Sequence, residues 1–172
     1  MKLYEYIQQG GTIMYILVLL NIIGFAMMIT KFWLFSKEKS NTSQLAGEIG
    51  GRLKEANANK DSQTMIELAK QEIAVYISQV EKGLNTVRII AGISPLLGLL
   101  GTVIGVLLAF QVMAQQGLND PSFFAKGISM ALITTVGGMI VAIPHFVGHN
   151  YLMGMLDSLE AKLEKEVLSK IL

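Results

Sequence analysis

Side chains able to do chemistry are scarce in the apolar parts of this chain. Three hydroxyls, Thr102, Thr134 and Thr135, stand in stretches otherwise built from aliphatic and small residues. No Asp, Glu, Lys or Arg lies between Arg88 and Asp120, and none between Lys126 and Asp157. A threonine in such a setting can bond the carbonyl four residues back in its own helix. Grouped with hydroxyls of a neighbouring helix, it can instead line a narrow polar path for water or an ion. Spacing along the chain serves both readings. His145 and His149 stand four apart just after Pro144, a spacing that suits a metal ion or a relay of imidazoles with pKa values of about 6.5. No third ligand accompanies them, so the plainer expectation is two interfacial histidines and no metal, with a cytoplasmic proton exit as the second reading. The chain has no cysteine, which excludes disulfides and thiolate metal sites. Neither a nucleophile and base pair nor a phosphate-binding loop appears, so no enzymatic role and no cofactor are expected.

Hydroxyls line a path only if helices hold them. With 52% hydrophobic residues over 172 positions and a mean hydropathy of +0.49, the chain is too apolar for an ordinary soluble domain. Three stretches exceed the roughly 20 apolar residues needed to cross about 30 Å of hydrocarbon. They occupy residues 12–35, 89–113 and 123–150. The first is too long in its apolar core for a cleaved signal peptide, and no small-residue cleavage site follows it, so it is expected to stay as an anchor. The chain thus divides into an outer interfacial segment (1–11), span one (12–35), a helical region (36–88), span two (89–113), a short loop (114–122), span three (123–150) and a C-terminal helix (151–172).

Basic residues orient these spans. Lys37, Lys39, Arg52, Lys54, Lys60, Lys70, Lys82 and Arg88 lie between spans one and two, and Lys162, Lys165 and Lys170 follow span three. The opposite side carries only Lys2 and Lys126. An excess of Lys and Arg marks the cytoplasmic side, which puts the N-terminus outside and the C-terminus inside. Acidic residues are mixed into the same segments and the net charge is +1; no basic face or aromatic ladder points to nucleic acid.

Apolar positions in the polar segments recur at helical steps. Ile66, Ala69, Ile73, Ile77, Val80, Leu84, Val87 and Ala91 form one stripe, and Leu152, Leu156, Leu159, Leu163 and Val167 form another. The first predicts a helix running unbroken into span two, and the second predicts that span three continues beyond the membrane. Each stripe is the natural partner of the other in a cytoplasmic bundle. Asp61 or Ser62 is expected to cap the first, and Asp120 followed by Pro121 to start span three. Leu3, Tyr4 and Ile7 are placed against lipid, and Pro144 is expected to bend its helix.

Small residues dominate one face of spans two and three. Ser94, Gly98, Gly101, Gly105 and Ala109 recur at steps of four, three, four and four, and Gly127, Ala131, Thr134, Gly138 and Ala142 repeat nearly the same spacing. Lipid tails are as apolar as leucine, so helices in a bilayer associate through close backbone packing, which small residues permit. The fold class is therefore all-α: a polytopic membrane protein whose second and third spans extend into a helical bundle. Three spans without a repeat argue against a self-sufficient secondary transporter.

"SPLLGLLGTVIGVLLAF" (94–110) and "GISMALITTVGGMIVAIP" (127–144) resemble the second and third transmembrane helices of the ExbB/TolQ/MotA family of proton-channel subunits. The opening "YEYIQQGGTIMYILVLLNIIGFAMMITKFW" is similar to short ExbB-like members. The resemblance implies an inner-membrane ring, a pentamer in the ExbB type, lined by spans two and three around two single-span ExbD/TolR-like partners. Proton flow would power a TonB- or TolA-like protein. It carries the family threonines onto Thr102 and Thr135, and it aligns Met130 with a position where ExbB and TolQ proteins commonly hold a glutamate. A buried proton carrier must gain and lose a proton, which methionine cannot do and threonine does not do. The carboxylate would then come from the partner, as in flagellar-type stators, or the chain would be a non-conducting scaffold.

Overall fold

The computed structural model describes residues 3–56, 61–116 and 121–171, and every element among them is helical: α1 (Leu3–Gln9), α2 (Gly11–Ser40), α3 (Thr42–Ala56), α4 (Ser62–Glu81), α5 (Leu84–Gln116) and α6 (Pro121–Ile171). Three of these, over Gly11–Ser40, Leu84–Gln115 and Phe124–Ile171, are long and apolar enough to cross a membrane. The expected cap at Asp120 lies outside the described residues, as does part of the turn region after α3.

By their contacts the residues form two compact units, Met1–Ala26 with Thr86–Gly148, and Met27–Asn85 with His149–Leu172. In the first unit, Ile13, Met14, Leu17, Ile90 and Val141 make an apolar cluster with Ile7, Leu20, Leu97, Ile104 and Ile133 around it. Ile7 therefore packs inward, while Tyr4 of α1 is exposed. Gly11 has φ +62, a left-handed conformation that costs glycine little and lets α1 turn into α2.

Prolines sit inside two of the long helices, Pro95 in α5 and Pro144 in α6. Each lacks the N–H that its turn would use, and each has a polar neighbour bonded to the backbone. Ser94 Oγ donates to the Ile90 carbonyl at 2.6 Å, and His145 Nδ1 lies 2.7 Å from the Val141 carbonyl. Both bonds fall in the turn next to the proline and not on the carbonyl it leaves free, which is that of Ala91 for Pro95 and of Ile140 for Pro144.

In the second unit, the C-terminal stripe is buried throughout at Leu152, Leu156, Leu159, Leu163 and Val167. On α4 the buried positions are Met65, Ala69, Ile73, Ile77 and Val80, so Met65 takes the place expected of Ile66. Burying each leucine, isoleucine, valine or methionine among them is worth about 1.5–3 kcal/mol.

The expectation of one unbroken helix into span two is corrected. α4 ends at Glu81, and Gly83, with φ +96, separates it from α5. Lys31 of α2 donates from Nζ to the Val80 carbonyl at 2.8 Å, satisfying one of the carbonyls that a helix end leaves without an internal donor. The α2–α3 boundary is served in the same way: Thr42 Oγ1 donates to the Lys39 carbonyl at 3.0 Å, and Lys162 Nζ donates to the same oxygen at 3.3 Å. Asp61 stands at the N-cap of α4, but its side chain makes no cap bond to the backbone. Its carboxylate accepts from the Thr64 hydroxyl instead, which holds the exposed carboxyl below its usual pKa.

Candidate functional site

Glycines decide how α5 and α6 meet. A Cβ on Gly105 would fall 2.7 Å from the Gly127 carbonyl and 2.9 Å from the Ala131 nitrogen. One on Gly127 would fall 2.7 Å from the Gly105 carbonyl and from the Ala109 Cβ. One on Gly138 would fall 2.6 Å from the Ser94 carbonyl, and one on Gly98 2.9 Å from the Thr134 carbonyl. Backbone thus touches backbone along an antiparallel seam, with residues 94, 98 and 105 facing 138, 134 and 127–131. Gly98, Gly101, Gly105, Gly127, Ala131 and Gly138 all take part in these close approaches.

The adjacent threonines part company at this seam. Thr134 points into it: a side chain on Gly101 would overlap the Thr134 hydroxyl and Cβ, the residue is fully buried, and its hydroxyl donates within its own helix to the Ala131 carbonyl at 2.9 Å or the Met130 carbonyl at 3.1 Å. In this chain Thr134 is a packing residue and not part of an open polar face, because its neighbour occupies the space that a path would need. Thr135, about 100° further round the helix, is half-buried and reaches across to the Gly98 carbonyl at 3.3 Å, with the Ala131 carbonyl of its own helix also at 3.3 Å.

Thr102 lies one helical turn beyond Gly98 on α5 and is likewise half-buried; its hydroxyl donates to the Leu99 carbonyl at 2.6 Å. The two readings left open for these hydroxyls are therefore not exclusive. Each donates to backbone, and each oxygen keeps lone pairs that can accept; Leu99 and Val103 beside Thr102, and Leu132 and Val136 beside Thr135, are exposed. Such an oxygen accepts hydrogen bonds. It fits water or the O–H of a protonated carboxylic acid.

Met130 departs from the expected polar face. Its methyl carbon lies 3.4 Å from where a Cβ of Gly11 would stand, so its thioether packs against the turn between α1 and α2. His145 is also not interfacial. It is fully buried, with its ring 5.0 Å from that of Phe25 at 70°, and Nε2 has no hydrogen-bond partner among the described residues. Nothing in its sequence neighbourhood signals this, because the residue that makes room is Gly24, far away on α2, where a side chain would overlap the imidazole. His149 belongs to the second unit and is half-buried. No group of three His, Asp or Glu residues able to hold a metal occurs among the described residues.

An all-helical chain with three spans, two of them joined by a glycine seam and presenting hydroxyls without a carboxylate, defines a membrane subunit built to pack against further helices. Comparison with known proteins gives the class its family. Residues 34–165 match the MotA/TolQ/ExbB proton channel family, and the chain belongs to that family. It is similar to an ExbB homolog from Methanothermobacter thermautotrophicus, 30% identical over 187 residues covering 93% of this chain and 66% of that protein. It is also similar to the biopolymer transport protein ExbB of Salmonella typhimurium, 30% identical over 73% of this chain and 53% of the relative. A third relative is the Tol-Pal system protein TolQ of Haemophilus influenzae, 32% identical over 49% and 37%. The chain thus spans about half to two thirds of the length of these two ExbB relatives.

Proposed function

We propose that several copies of this chain form a ring, a pentamer in the ExbB manner, in the inner membrane, and that α5 and α6 surround the single spans of two ExbD/TolR-like partners. The N-terminus lies outside and the polar helices lie in the cytoplasm, following the distribution of Lys and Arg. Protons pass by way of a partner aspartate, and the resulting movement serves a TonB- or TolA-like protein. Thr102 and Thr135 are the contact points for that aspartate.

One observation carries this reading: the two half-buried hydroxyls have spent their donors on backbone carbonyls in spans that contain no ionisable carboxylate. They are left as acceptors, which suits a carboxyl group in its protonated form and lets it pass through an apolar zone without losing its hydrogen bond. Thr134 and Met130 are not contacts in this scheme, since both are turned into the chain's own packing.

The test is partner-dependent proton uptake by vesicles holding this chain together with a single-span, aspartate-bearing partner. Thr135→Val and Thr102→Val keep shape and remove the hydroxyl, and each is expected to lower the proton flux by a few-fold to about tenfold, the loss of one neutral hydrogen bond. Thr135→Ser should retain most of it. Full flux in both valine variants would remove the hydroxyls from the pathway. Assembly with the partner but no flux even in the unaltered chain would favour the non-conducting scaffold.

A further inference from the structure

A buried polar atom without a partner is costly where leucine would cost nothing, and His145 Nε2 is such an atom in the first unit. What the imidazole supplies there is a donor and a shape. A carbonyl can only accept, so the ring nitrogen 2.7 Å from the Val141 oxygen carries the hydrogen, and in the neutral ring Nε2 is then a bare lone pair. That bond fixes the ring in one orientation in the turn that Pro144 weakens by withholding its N–H. The ring edge lies over Gly24 of α2, where a side chain would overlap both Nε2 and Cδ2, and Phe25 closes on it edge-on. Among the described residues, those that meet the ring are not titratable: Gly24 and Phe25 of α2, and Val141 of α6, which presents a carbonyl.

A reciprocal contact lies eight residues earlier on α6. There Met14 of α2 enters the notch at Gly137, where a Cβ would stand 2.8 Å from the Met14 methyl and 2.9 Å from its sulfur. The two helices run parallel, each carrying one knob and one notch.

We propose that His145 and Gly24 form a keyed joint between α2 and α6: the imidazole, oriented by the Val141 carbonyl, seats in the glycine notch and fixes the rotation of α6 about its own axis. Through that rotation it determines that Thr134 is buried against Gly101 while Thr135 stays half-buried and reaches the Gly98 carbonyl. His145 is a positioning residue in this account. The joint stands on packing geometry alone and is independent of whether the chain conducts.

Disulfide cross-linking in membranes tests it, because the chain has no cysteine to confuse the result. Met14→Cys with Gly137→Cys places two thiols at the other contact and deletes its methionine knob, leaving the His145 joint as the key. The parent pair is expected to cross-link readily. Gly24→Ala should slow cross-linking about tenfold, the scale of an overpacked contact, and Gly24→Ala with His145→Ser should restore it by making room. His145→Asn keeps a donor near the Nδ1 position and should stay near the parent rate, whereas His145→Leu fills space without a donor and should not. If Gly24→Ala fails to accumulate and the double variant accumulates, that rescue supports the joint equally. Cross-linking of Gly24→Ala at the parent rate, or no recovery in the double variant by either readout, overturns it.

Discussion

At the scale of single residues, the structure sorts glycines into those that must lack a side chain and those that need not. Gly105 and Gly127 each face the other's carbonyl oxygen, and backbone atoms cannot retreat as the end of a flexible side chain can. Gly105→Ala or Gly127→Ala is therefore expected to push α5 and α6 apart at a cost of about 1–3 kcal/mol. Gly92 and Gly154 have nothing near them; alanine there should be neutral or gain up to about 1 kcal/mol of helix propensity. Thermal unfolding in detergent separates the two groups, and equal midpoints for Gly105→Ala and Gly92→Ala would refute the seam. A second residue-scale expectation concerns Tyr76. Its hydroxyl is pushed well above the usual 10.0, first by burial and then by the hydrogen bond and negative charge of Glu38. The folded protein thus favours the neutral phenol. The stability this gives is full below the ordinary pKa and is lost as pH climbs from there through the folded value. Unfolding midpoints taken on the alkaline side should fall more steeply for the unaltered chain than for Tyr76→Phe, and parallel curves would show that Tyr76 contributes no such linkage.

Between residue and element lies the question of what the sequence can reveal. The steps of four, three, four and four at Ser94, Gly98, Gly101, Gly105 and Ala109 name the seam directly, because a helix puts such positions on one face. Spacing does not separate Thr134 from Thr135: neighbours in sequence differ by about 100°, and which of them enters the seam depends on the rotation of α6 against its neighbours. The burial of His145 is illegible in the sequence for the same reason, since its partner is a glycine in a helix whose apolar residues mark no face. The joint between α4 and α5 was missed on other grounds. Val80, Leu84 and Val87 are buried on both sides of it, so the turn at Gly83 redirects the chain without interrupting the apolar stripe, and periodicity runs through it unmarked. Gly83 alone carried the signal. With φ +96 it occupies a conformation that costs other residues about 1–2 kcal/mol, and Gly83→Ala should destabilise the second unit by that amount. Lys31→Met, which removes the donor to the Val80 carbonyl, should cost about 0.3–1 kcal/mol and speed amide exchange in the last turn of α4. Unchanged exchange in that turn would mean that the lysine does not hold it.

For the whole molecule, the decisive feature is a division of labour written into its charges. The titratable side chains of the second unit meet in surface pairs such as Arg52 with Glu72 at 3.4 Å and Lys70 with Glu164 at 3.3 Å, worth little in stability. The stretches between Arg88 and Asp120 and between Lys126 and Asp157 have no Asp, Glu, Lys or Arg at all. A proton moved across a membrane releases about 2.3 kcal/mol per 100 mV, but capturing that energy requires a group that binds the proton on one side and gives it up on the other. Threonine hydroxyls do not ionise for this purpose, Met130 cannot, and His145 is enclosed. On the proposed reading, the carrier is borrowed from a partner. Vesicles holding this chain alone, with a proton gradient imposed, are therefore expected to leak no faster than protein-free vesicles, and leak should begin only when a single-span partner with a membrane carboxylate is incorporated. A partner in which that carboxylate is replaced by its amide should assemble and leave the vesicles tight. Proton flux through the chain by itself, measured with a dye trapped inside the vesicles, would mean that a carrier exists among its own residues, and would refute the borrowing.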